Sequence, residues 1–185
     1  MDIMKTPKTI HYQIAVSRTY QSTHPRKGEK TYFVEQIKNA ILDGLYILKP
    51  DGTIITGKKL HTCRTNYKLW VKRMEKVQAG LAVIDLFYWE LPGGRFTPGN
   101  TKEIFATLDK NSGCGVQELR FSSIRLCEGK ETPLSAEIPF SYKYNCDLSL
   151  LAKHDGLSIQ DFKDWFKSKN LSKALAIIHF TKFRY

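Results

Sequence analysis

The sequence lacks the spacings that build a structural metal site. Its four cysteines, Cys63, Cys114, Cys127 and Cys146, contain no C-x-x-C pair, and its five histidines show no H-x3-5-H spacing. Nothing calls for a metal or a cofactor. No window approaches the ~18 apolar residues of a membrane span, and the N-terminus carries no apolar run of signal-peptide length. These absences exclude a membrane-spanning helical protein and a disulfide scaffold, and describe a soluble protein of a reducing cytoplasm with free thiols. Internal repeats and low-complexity tracts are missing too. Acidic residues are in short supply: 18 against 29 lysines and arginines, a net charge of +11. A surplus of that size favours a polyanionic partner, such as RNA or a nucleotide.

With 42% hydrophobic and 25% charged residues, the chain has the composition of a folded protein. Its 185 residues fit a single domain with one core.

Alternation predicts a strand over Thr9–Val16, with Ile10, Tyr12, Ile14 and Val16 on one face. Residues 1–30 form an N-terminal extension that continues into a solvated, mobile loop over Ser17–Lys30, with five basic residues, His24 among them. Thr31 is the expected N-cap of a helix carrying Phe33, Ile37, Ala40 and Ile41 at helical spacing. Pro50-Asp51-Gly52 marks the turn of an inserted hairpin over about 45–56. Tyr67, Trp70, Met74 and Val77 predict an amphipathic helix, with Lys68, Lys72 and Lys76 along a solvated face. Strands follow over Leu81–Trp89, Lys102–Leu108 and Val116–Cys127. A further strand over Leu134–Tyr144 is interrupted by Pro139, which argues for an edge. Asp147 caps a short helix that stops at Gly156. Ser158 begins another, with Asp161 at the capping-box position and a buried stripe of Ile159, Phe162, Trp165 and Phe166. Ala174–Phe180 is a last, core strand. This element order is that of an α+β domain, read as a small mixed β-barrel with flanking helices.

The chemically densest window is Gly57–Arg64, with Lys58, Lys59, His61, Thr62, Cys63 and Arg64 inside eight residues. Lys59 and Thr62 lie three apart, so on a helical turn they share one side while His61 and Cys63 point elsewhere. A lysine so placed acts on a nearby hydroxyl as base or electrostatic stabiliser. Residues 57–80 hold seven basic side chains and one acidic one, a favourable field for a phosphate-bearing ligand.

Gly57-x-Lys59-x-x-Thr62-x-Arg64 is followed by Leu151-Ala152-x-x-Asp155-Gly156-Leu157, Phe162-x-x-Trp165-Phe166 and Ile177-Ile178-His179-Phe180. In that order the pieces resemble the ASCH superfamily, from about Phe33 onward. The Thr23-His24-Pro25 loop and the Asn66–Arg73 segment are similar to ASCH-like proteins of gut bacteria and their phages. The resemblance implies a PUA-like β-barrel, related to modules that bind RNA or modified bases. Within the superfamily, bacterial N4-acetylcytidine amidohydrolases carry a lysine, a threonine three residues later and an acid ahead of the late helix. Lys59 and Thr62 match the first two. Asp155 stands where that family has glutamate, a carboxylate one methylene longer.

Two functions follow from the resemblance. In one, the pocket binds a nucleobase or nucleotide, with Lys59 and Arg64 on phosphate or base carbonyl, Tyr67 or Trp70 stacking, and Lys68, Lys72 and Lys76 along the backbone. In the other, the site removes an acyl group from N-acylated cytidine or a related amide. Thr62 is then the nucleophile, Lys59 its activator and Asp155 the acid/base. A third class, a host-interaction protein that uses the fold as a scaffold, is also open.

Overall fold

The computed structural model describes residues 8–42, 47–123, 134–137, 145–167 and 172–185. Residues 1–7 of the expected N-terminal extension, the start of the hairpin, and the ends of the strands expected over 116–127 and 134–144 lie outside them. So do the side chains of Cys127 and Cys146.

Among the described residues, ten strands and four helices give an α+β architecture. Strands β1 (Ile10–Ala15), β5 (Ala82–Trp89) and β6 (Lys102–Leu108) form one sheet in the order β1-β5-β6, with β1 parallel and β6 antiparallel to β5. Helix α1 (Phe33–Ile41) and the hairpin of β2 (Ile47–Leu48) with β3 (Ile54–Ile55) come between β1 and Gly57–Arg64. A second sheet has the order β4-β10-β7-β8-β9: His61–Arg64, Leu175–His179, Gly115–Ser123, Leu134–Glu137 and Asn145–Cys146. Among the described residues these strands do not close into a barrel.

Every residue of β10 is buried, because this strand runs between β4 and β7 with Leu175, Ile177 and Ile178 in the core. Helix α2 (Tyr67–Gln78) lies against β5, β7 and β10, so it joins the two sheets. Its Trp70, Met74 and Val77 are buried as their spacing predicts. Helices α3 (Leu148–His154) and α4 (Ile159–Phe166) pack on each other, and Phe162 and Phe166 enter the core.

Several expectations are corrected. Tyr32, at φ 56°, takes the N-cap position of α1; the Thr31 hydroxyl, one residue earlier, still accepts from the Phe33 amide at 3.4 Å and donates to the Ser17 carbonyl at 2.7 Å. Strand β8 runs between β7 and β9 and is not an edge, and Pro139 lies outside the described residues. Ile159 is exposed, since it opens α4 on the side turned from the core.

The 17–30 loop is tied down where the sequence suggested a loose connection. Tyr20 and Arg26 both donate to the Asp161 carboxylate, at 3.3 and 2.9 Å, and His24 lies 3.2 Å from the Asp161 carbonyl. Only half of a capping box forms at α4. Ser158 accepts from the Asp161 amide at 3.0 Å, whereas the Asp161 side chain is given over to the loop.

Candidate functional site

Gly57–Arg64 is not a helical turn. Residues His61–Arg64 form β4, the outer strand of its sheet, and Lys59 belongs to the segment leading into it. Strand alternation puts Thr62 and Arg64 on one face and His61 and Cys63 on the other. The helical argument that grouped Lys59 with Thr62 therefore fails. Both residues still line one cavity, and the lead-in is stitched into place: the Lys59 amide donates to the Gln36 carbonyl at 3.1 Å, and the Leu60 amide to the His154 carbonyl at 2.8 Å.

Gln36 and Gly156 complete the scaffold. The Gln36 side-chain amide donates to the carbonyls of Thr31 and Gly156, at 3.3 and 3.4 Å. Gly156 has a φ of +78°, and a Cβ there would stand 2.6 Å from Gln36 Oε1 and 3.3 Å from Lys59 Cβ. Glycine alone fits both the left-handed backbone and the close approach. The turn that ends α3 thus brings Asp155, the C-cap of that helix, against Lys59.

The Lys59 ammonium is held on three sides. It donates to Asp155 Oδ1 at 2.6 Å and to the Asp155 carbonyl, and it lies 4.2 Å from the centre of the Phe33 ring. The carbonyl belongs to the C-terminal end of α3, where the helix dipole also favours a cation. Both side chains are buried, with relative exposures of 4% and 6%. Burial pushes the Lys59 pKa down, against the pull of Asp155, and pushes the Asp155 pKa up, against Lys59 and Arg64.

Arg64 donates from one nitrogen to Thr62 Oγ1 at 2.9 Å and to the Cys63 carbonyl at 3.1 Å, and from another to the Ala15 carbonyl at 2.7 Å. Burial lowers its pKa, opposed by Asp155 and Cys63. With an arginine on its oxygen, the Thr62 hydroxyl keeps its own proton free to donate, and the adjacent charge favours the alkoxide.

Lys59, Thr62, Arg64 and Asp155 line one small cavity of about 30 Å³, walled by Phe33 and Trp165. That is room for a water molecule or two. Val16 and Ser17 also line a much larger cleft of about 940 Å³, bounded by the 17–30 loop and the Trp89–Gly94 turn, with Arg18, Lys27, Lys30 and Tyr32 in its walls. The cleft is of the size that takes a nucleotide.

The other proposed ligand contacts stand apart. Tyr67 is half-buried against the core, and Lys68 and Lys72 face solvent; none of the three lines the cavity or the cleft. On α2 they follow the ordinary division between a packed and a solvated face.

Sequence reasoning set His61 aside, yet it is fully buried and its Nδ1 lies 3.6 Å from Asp155 Oδ1. Two-residue alternation in β4 is the signal that turns His61 and Cys63 to a common side. His61, Cys63 and Asp155 offer donor atoms within 4.8 Å of one another, a set that suits a borderline metal ion. The Lys59 ammonium already holds that carboxylate, so a cation there would have to displace it. Trp165, which the sequence placed in a core stripe, is a wall of the cavity.

No helix among the described residues is long and apolar enough to cross a membrane. No protein-family model matches the chain, and no curated protein or solved structure matches it significantly.

Proposed function

We propose that the chain is an ASCH-like domain, a variant of the PUA-like barrel, that hydrolyses an amide on a nucleobase, of the N4-acylcytidine class. One observation carries the reading: Lys59 and Asp155, 96 residues apart, meet as a buried pair in the same cavity as Thr62. A buried amine with a lowered pKa beside a carboxyl with a raised one is a ready base and acid.

Transfer of one proton from Lys59 to Asp155 creates both catalysts at once. The neutral amine takes the Thr62 hydroxyl proton as Oγ1 attacks the acyl carbon. Arg64, beside Oγ1, stabilises the negative charge that develops. Protonated Asp155 then gives its proton to the departing exocyclic nitrogen, and the C–N bond breaks. Water attacks the resulting threonine ester, losing a proton to Asp155, and the ester oxygen regains one from Lys59. The products are a carboxylic acid and the free amine; Lys59 is left neutral and Asp155 protonated, and one proton passing back from Asp155 to Lys59 restores the ion pair. The nucleoside part would lie in the adjoining cleft, in the cytoplasm where its RNA source resides.

The cleft favours a second reading, in which a nucleotide or RNA is bound without reaction. Arg18, Lys27 and Lys30 would face phosphate there, and Tyr32 offers a stacking surface. Incubation with N4-acetylcytidine separates the two. Release of cytidine and acetate by the wild type, lost in Lys59→Ala and Thr62→Ala, supports the hydrolase. No turnover, together with salt-dependent RNA binding, leaves the binding reading.

A further inference from the structure

The hydrolase reading leaves a buried network behind Asp155 without a task. His61 is fully buried. Its Nε2 lies 2.7 Å from the Tyr185 hydroxyl, and that hydroxyl lies 3.3 Å from Nδ1 of His154, which is half-buried. His61 Nδ1 has no hydrogen-bond partner and stands 3.6 Å from Asp155 Oδ1, a few tenths of an ångström beyond bonding reach. The rings pack edge to face, His61 against Tyr185 at 5.6 Å and His154 tilted on Tyr185 at 5.7 Å, so the order of the groups is fixed by packing. None of His61, His154 and Tyr185 lines the site cavity.

We propose that His61, Tyr185 and His154 form a proton path that joins the buried Lys59–Asp155 pair to solvent without passing through the substrate cavity. The proposal rests on the acid–base reading of that pair. The hydrolytic cycle returns its own protons to the pair, but a pair sealed beneath a bound ligand can replace or shed a proton only along a second route, which keeps its protonation in balance with solvent while the cavity is occupied.

The donor and acceptor order suits this task. With the proton on Nε2, neutral His61 donates to the Tyr185 oxygen and aims a lone pair at Asp155. A proton leaving the Asp155 carboxyl enters at Nδ1. The Nε2 proton passes to the Tyr185 oxygen, and the Tyr185 proton passes to His154 Nδ1, from which it reaches water. One proton leaves Asp155, one arrives at His154, and the intervening groups remain neutral. A small rotation of the His61 ring closes the 3.6 Å link.

The groups around His61 make it a carrier and prevent it from storing charge. It faces Lys59 and Asp155 on one side, His154 from α3, His179 from β10, and Tyr185. Burial, then His179, Lys59 and His154, hold its pKa well below the ordinary value. His179, the cross-strand neighbour of His61, has neither ring nitrogen bonded and is a wall of the network, not a link in it.

Tyr185→Phe removes one oxygen and keeps the ring; His154→Gln removes the exit. In lysine-15N-labelled protein, exchange of the Lys59 Nζ protons with solvent is read by NMR, with β4 and β10 amide exchange as the structural control. Exchange slowed roughly tenfold or more in both variants, with the amides unchanged, is the expected result. Exchange at the wild-type rate in Tyr185→Phe overturns the path. If that substitution loosens β4, His154→Gln decides by the same reading. Slowed exchange in a protein that does not turn over N4-acetylcytidine keeps the path and removes the hydrolase; turnover with unslowed exchange does the reverse.

Discussion

Lys59 Nζ and Asp155 Oδ1 meet at 2.6 Å across 96 residues of sequence, and neither is more than marginally exposed. Two ions taken out of water this completely depend on each other. Lys59→Met and Asp155→Asn are each expected to destabilise the protein by about 3–5 kcal/mol, because each leaves its partner uncompensated. The double variant is expected to lose clearly less than the sum of the two, since it leaves no buried charge behind. Urea unfolding of the four proteins checks this, and additive losses would contradict the pairing.

His179 and His61 make the protein acid-sensitive. Burial depresses the His179 pKa from 6.5 to about 3, and that of His61 falls well below its ordinary value. A depressed folded-state pKa contributes stability that is full above the unfolded value and is lost as pH falls toward the folded one. From His61 and His179 alone, the unfolded chain binds up to two more protons than the folded one in this window. Stability should therefore fall by up to about 2.7 kcal/mol per pH unit below pH ~6. Thermal unfolding between pH 7 and 4 measures the slope, and His179→Phe is expected to roughly halve it. Tyr20 acts at the other end: its pKa is raised from 10.0 to about 12 by burial and by Asp161. The stability from its neutral form is complete below pH ~10 and lost as pH rises through 12.

Gly156→Ala tests how the site is assembled. The new methyl would collide with Gln36 Oε1 at 2.6 Å on a backbone of φ +78°, so a loss of about 1–3 kcal/mol is expected. The Lys59 Cβ at 3.3 Å means that the damage also reaches the ion pair. The check is denaturant unfolding alongside the Lys59 side-chain NMR signal. A variant with wild-type stability and an unmoved signal would show that the α3–α4 turn does not set the pair.

Much of the fold was legible in the sequence because its signals are local. The spacing of Trp70, Met74 and Val77 gives α2, the Pro50-Asp51-Gly52 turn gives the hairpin, and the apolar run around Ile177 gives β10. The contact of Lys59 with Asp155 was suggested only by resemblance. Helical spacing offered a reason for grouping Lys59 with Thr62, but β4 is a strand, and their place on one cavity depends on long-range bonds to Gln36 and His154 that no local pattern encodes. Asp161 shows the same limit. Its position suggests a cap, while its carboxylate is taken by Tyr20 and Arg26 from the far loop.

Asp161→Ala is expected to release that loop while α4 survives, since the Ser158 cap bonds the residue-161 amide, which remains. Hydrogen exchange should rise over residues 18–30 and stay unchanged in α4. Equal protection in variant and wild type would show that the loop is held by other means.

The account turns on Thr62 as a nucleophile beside Lys59 and Asp155. Wild-type protein mixed with N4-acetylcytidine, quenched in acid during turnover and mapped by peptide mass, is predicted to carry the acyl group on Thr62. Thr62→Ala should carry none and release no cytidine. Turnover that proceeds unchanged in Thr62→Ala, or a wild type that neither releases cytidine nor carries the acyl group, would contradict it.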